Sequence, residues 1–195
     1  MAFGRMPMNP SKLLQSLVTQ IPARASKEGK KEWNRATKEV LCELGRKAGF
    51  EPYASLRLGK IRLHEWLLDI VWYSLETGGI QLAVESELGR EEDVLFDFGK
   101  LMVVKAPLKL LLVECGKQRL IRRVEQYLQG FDHHIAGEAY LLVDFNWGHH
   151  DCYELVVKRD GKQKRGDLKF RQLDSLCGPD VPDDSNRPRR RNARR

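Results

Sequence analysis

The residues best suited to do chemistry in this chain are three acids. Strand side chains alternate between faces, so in the run GIQLAVESEL Glu85 and Glu87 share a face with Gln81 and Ala83, while Ile80, Leu82, Val84 and Ser86 share the other. Just upstream, LHEWLLDIVWY sets Asp69 in an otherwise apolar run, where an unpaired carboxylate costs several kcal/mol. If Glu76, Thr77 and Gly78 form a three-residue turn, Asp69 lies directly opposite Glu85 in a hairpin, with Cβ atoms about 4.5–5.5 Å apart. Two ionised carboxylates that close repel. A divalent cation removes the repulsion, and a hard ion such as Mg²⁺ or Mn²⁺ suits oxygen ligands and phosphate substrates. The plainer alternative leaves Glu85 and Glu87 at a solvent-facing strand end and pairs Asp69 with an arginine.

Those acids need a frame, and apolar periodicity supplies one. Ser11 to Ile21 reads as a short amphipathic helix ended by Pro22, and Lys30 to Lys47 as a longer one closed near Gly45 and Gly49. Tyr53 to Leu58, Glu65 to Leu75 and Gly79 to Leu88 read as strands. A helix from about Glu91 to Lys105 opens with acids, as its macrodipole favours, and stops at Pro107. Leu108 to Glu114 is a strand, Lys117 to Gln129 a helix, and Ala139 to Phe145 an apolar and therefore central strand. Tyr153 to Lys158 and Leu168 to Leu173 read as a closing hairpin, whose loop RDGKQKRG has four basic residues. This order predicts an α/β fold, a mixed central sheet flanked by helices on both faces. No G-x-G-x-x-G or G-x-x-x-x-G-K-[ST] run occurs, which leaves a dinucleotide or P-loop site without support. Of the five histidines, His64 is a candidate to line the hairpin of the acids, while the pairs His133–His134 and His149–His150 suggest Zn²⁺ with Asp151 or Cys152. Adjacent histidines on a strand point to opposite faces and the spacing fits no zinc motif, so they read as loop residues beside the Ala139 to Phe145 strand.

The acids and the element order together resemble the PD-(D/E)XK nuclease superfamily, the restriction-endonuclease-like fold, whose core runs helix, three strands, helix, strand. Residues 30–114 follow that order. The resemblance implies Mg²⁺ (or Mn²⁺) ligation by Asp69 and Glu85, with the Ser86 carbonyl assisting, and hydrolysis of DNA phosphodiester bonds. The family usually has lysine two residues after the second acid. This chain has Glu87 there, similar to an E-x-E variant, and Glu87 would bind a second ion or position water. In some members the lysine comes from the following helix, and DVLFDFGKLMVVK offers Lys100, with Lys105 as a weaker candidate and Asp97 one turn before Lys100. Glu39 corresponds loosely to a helix glutamate that some relatives, including Holliday-junction resolvases, use near the metal; a solvated helix face is the plainer reading. The competing function is a catalytically inactive nucleic-acid-binding or partner-binding module of the same fold.

Charge supports a polyanionic partner. Of the net +7 over 195 residues, +6 lies in the last nine residues and +5 in the first 31, which leaves residues 32–186 at −4. A mildly acidic body between cationic ends suits phosphate clamping, and Arg187, Arg189, Arg190, Arg191, Arg194 and Arg195 are the expected nucleic-acid contacts. The expected organisation is a basic N-terminal arm with a short helix (1–29), a nuclease-like α/β domain (30–177) and a disordered arginine-rich tail (178–195). No apolar stretch is long enough for a membrane span or a secretory segment. Four cysteines without a C-x-x-C pair then read as reduced thiols in a cytoplasmic protein, with homodimerisation left open.

Overall fold

Alternation along the strands decides the architecture. The structure is a computed structural model and describes residues 8–25, 30–54, 57–58, 61–62, 67–114, 118–146, 149–158 and 163–176. In chain order the elements are α1 (Pro10–Arg24), α2 (Lys30–Lys47), β1 (Glu51–Ala54), a ribbon of β2 (Arg57–Leu58) and β3 (Ile61–Arg62), β4 (Ile70–Ser74), β5 (Gly79–Glu87), α3 (Glu91–Val103), β6 (Leu108–Val113), α4 (Gln118–Gly130), β7 (Ala139–Asn146), β8 (His149–Val156) and β9 (Arg171–Gln172). One seven-stranded sheet runs β1-β4-β5-β6-β7-β8-β9. The β5–β6 and β6–β7 pairs are parallel and the other pairs antiparallel. The fold is therefore α/β with a mixed sheet.

Each inner strand feeds two cores. Ile70, Trp72, Leu82, Val84 and the 108, 110 and 112 leucines bury against α1 and α2; Val71, Ala83, Leu111, Val113 and Tyr140 bury against α3 and α4. Glu85 falls on the α3 side by this alternation. β6 is buried at all six positions, as parallel strands covered on both faces must be. Among the described residues no helix is long and apolar enough to cross a membrane.

Trp72 fixes α2 on the hairpin. Its Nε1–H donates to the Leu41 carbonyl at 3.0 Å, and Phe50 stacks on its ring at 5.8 Å. Gly45, expected at the end of α2, lies inside it, and a side chain there has no room, since a Cβ would come within 2.7 Å of Trp72 Nε1. Gly49, at φ +85°, ends the helix: Phe50 N–H bonds the Gly45 carbonyl and Gly49 N–H the Arg46 carbonyl, the paired bonds of a left-handed cap.

Several expected boundaries move. Pro22 lies within α1 rather than ending it; one missing N–H in the last turn is tolerated, and Ala25 N–H still reaches the Ile21 carbonyl. The short helix of the N-terminal segment has Leu13, Leu14, Leu17, Val18 and Ile21 in the same core as α2. Strand β1 starts at Glu51 and stops at Ala54. Strand β4 begins only at Ile70, with 67–69 forming a bend. The expected closing hairpin forms, with Tyr153 opposite Gln172 and Glu154 opposite Arg171, but its second strand is only Arg171–Gln172; its first starts earlier, at His149, and also pairs with β7 across all eight residues, which puts His149 and His150 on a strand. The arginines at 187–195 and the tail from 178 lie outside the described residues.

Candidate active site at the hairpin end

The β4–β5 turn has four residues, Leu75 to Gly78, not three. Ser74 pairs with Gly79 and Tyr73 with Ile80, but Trp72 pairs with Leu82, so a bulge at Gln81 adds back the residue that the longer turn removed. The net register beyond it, Ile70 opposite Val84, sets Asp69 beside Glu85 after all. Asp69 lies in the bend just before β4, and its Oδ2 accepts the Ser86 N–H at 3.0 Å.

Around this pair the structure gathers Asp97 and Lys100 from α3 and Lys38 from α2. Lys100 Nζ is 2.6 Å from Glu85 Oε1 and 2.8 Å from Asp97 Oδ1, and 3.5 Å from the Leu67 carbonyl. Lys38 Nζ is 3.2 Å from Asp69 Oδ1. The Glu85 side chain is 2% exposed. Burial pushes its carboxyl up to about 8; Lys100 pulls the other way, and Asp69 and Asp97 add to the rise. For the Lys100 ammonium, burial is unfavourable, but contacts with Asp97 and Glu85 outweigh it and hold the pKa above its ordinary value.

Glu87 shares the Glu85 face. Burial raises its carboxyl too, against a hydrogen bond from the Gly89 backbone, and Asp97, Asp93 and Asp69 add to the rise. A Cβ on Gly89 would come within 2.4 Å of Glu87 Oε1, so glycine is what lets this carboxylate fold back on the loop. The other candidates stand apart. Glu39 is on α2 with Oε1 3.9 Å from Arg35 Nε, and Lys105 is exposed beyond the end of α3. Lys38, next to Glu39, is the residue that sequence reasoning missed. Its only signal was a place three and four residues before Leu41 and Cys42, at the border of the buried α2 face.

The donor set suits a hard divalent cation in part. Four carboxylates face two ammonium groups, and the buried Glu85 Oε1 has Lys100 Nζ 2.6 Å away. Among the described residues, no three His, Cys, Asp or Glu side chains already converge as a metal cage; Lys100 stands between Glu85 and Asp97. Among the described histidines, His134 bonds Glu138 at 2.8 Å and His150 the Leu176 carbonyl at 3.0 Å; His64 lies outside the described residues. In comparisons with known proteins, the chain matches no family model, no curated protein and no solved structure.

Proposed function

We propose that the chain is a Mg²⁺- or Mn²⁺-dependent nuclease that hydrolyses DNA phosphodiester bonds on a restriction-endonuclease-like core. The observation that carries this reading is Lys100, delivered by α3 to within 2.6 Å of Glu85, as expected for a lysine that has moved off the strand. The order α2, β1, β4, β5, α3, β6 fits the same core. Asp69 and Glu85 are the residues that would hold the ion, which when bound would offset charge on a phosphate and make water more acidic.

The chain's own groups prepare that site. Ser86 N–H and Lys38 hold the two Asp69 oxygens in place. Asp97 anchors the Lys100 ammonium, whose flexible stem lets it turn from Glu85 to a phosphate oxygen. Without a divalent cation, Glu85 holds a proton at neutral pH, so cation binding must release it. The arginines from 187 to 195 clamp the strand backbone without reading bases.

A second reading, a metal-free binding module, is favoured by the Lys100 ammonium itself, which already lies against Asp97 and Glu85 where an ion would sit. Calorimetric titration with Mn²⁺ in buffers of different ionisation enthalpy separates the two. The nuclease reading expects saturable binding with release of about one proton near pH 7, abolished by Asp69→Asn. Absence of saturable binding to the wild type would leave the module.

A further inference from the structure

A groove between α3 and α4 opens beside the carboxylate cluster and shares Lys100 with it. It encloses about 470 Å³. Phe96, Gly99, Lys100 and Val103 form one side, at helical spacing along α3, and Arg123 and Tyr127, one turn apart on α4, form the other. Phe96 is 73% exposed, Val103 65% and Tyr127 44%. Single exposed apolar side chains are ordinary, but several around one concavity mark a binding surface.

Gly99 adds an independent observation. Glycine inside a helix is less favourable than alanine, and the usual packing reason is missing: a Cβ on Gly99 would meet nothing within 4 Å. The glycine keeps the groove floor bare without serving the packing of the chain. Lys100 and Arg123 flank that floor, the first paired with Glu85 and Asp97 and the second with Glu91 at 2.5 Å, and Glu92 is the acid that lines it. Bare aromatic rings over an open floor, with a guanidinium and an ammonium alongside, are complementary to a nucleotide, whose base has two π faces and whose phosphate is anionic.

We propose that this groove seats one unpaired nucleotide of the DNA substrate, its base against Phe96 and Tyr127 and its phosphate toward Arg123 and Lys100. The proposal deepens the nuclease reading and rests on it for the identity of the strand. A base inside a duplex is already stacked and cannot enter, so the substrate class is single-stranded DNA or DNA with an unpaired segment. The groove leads from that segment to the carboxylates through the shared lysine.

The test is fluorescence anisotropy of a labelled oligo(dT) of about a dozen nucleotides, and of a duplex of equal length, with the full chain in EDTA. Phe96→Ala and Tyr127→Ala should each weaken oligo(dT) binding about tenfold and duplex binding less than about twofold. Gly99→Leu, whose side chain enters open space, should fold as the wild type and lose oligo(dT) binding in the same way. Unchanged oligo(dT) affinity in these variants would overturn the proposal, as would an equal loss on duplex. A wild-type dimer dispersed by Gly99→Leu without change in DNA affinity would assign the groove to a second copy and overturn it too. Because no metal is present, the result is read separately from the calorimetry: metal-dependent cleavage with an indifferent groove would refute the groove alone.

Discussion

Glu85→Gln separates the electrostatics of the site from its shape. The carboxyl is buried, and its pKa is pushed from an ordinary 4.5 to about 8. A folded state that binds this proton more tightly than the unfolded chain does is favoured by acid. The contribution is fully present below about pH 4.5 and is lost as pH rises through 8, with a slope of up to about 1.4 kcal/mol per pH unit and a total of about 5 kcal/mol. Glutamine keeps the shape and cannot ionise, so this pH dependence disappears. Loss of the Lys100 partner adds a cost that is nearly constant over the range, which makes the slope the informative quantity. Urea unfolding in EDTA, followed by the fluorescence of the tryptophans between about pH 5 and 8, should show wild-type stability falling relative to Glu85→Gln by about 1 kcal/mol per pH unit. Parallel curves for the two proteins would refute the argument that Glu85 is buried and protonated.

Other expectations follow from the same geometry. Lys109, 1% exposed, lies 2.7 Å from the equally buried Glu138 and 3.0 Å from Tyr140, so Lys109→Met should cost about 3–5 kcal/mol in chemical denaturation by stranding the carboxylate. Gly45→Ala should destabilise by about 1–3 kcal/mol despite the better helix propensity of alanine, because its Cβ displaces Trp72 from the Leu41 carbonyl; an unchanged melting temperature would contradict that packing. Deleting residues 187–195 should weaken binding to all DNA sequences alike and flatten the slope of log K against log salt by about 3–4, if about four arginines contact phosphate at once; superimposable slopes would remove the tail from the interface.

Much of the frame was legible because alternation and helical periodicity are local. Lys30–Lys47 has the bounds its pattern implies, and the apolar run at 139–145 is the centre of β7. The hairpin shows how a correct juxtaposition can come from an incorrect turn: Asp69 meets Glu85 because the Gln81 bulge cancels the extra turn residue, and no spacing rule foresees such a compensation. Lys38 was hidden because its role depends on how α2 seats on Trp72, a tertiary fact. Lys109 had a faint signal, a lone cation in LKLLLV, but its partners, Met102 at the end of α3 and Glu138 and Tyr140 around the start of β7, come from two places that only the fold brings together. The shortness of β4 was equally illegible, since LHEWLLDIVWY holds no glycine or proline and a bend at 67–69 leaves no mark in its composition.

The most direct measurement is incubation of end-labelled duplex, nicked, branched and single-stranded DNA with the full chain in Mg²⁺ or Mn²⁺, resolved on a denaturing gel. The expected result is cleavage that EDTA stops, that Asp69→Asn and Lys100→Ala each reduce by at least about a hundredfold, and that favours substrates with an unpaired segment. Intact DNA in every lane, or equal cleavage by the wild type and Asp69→Asn, would contradict it.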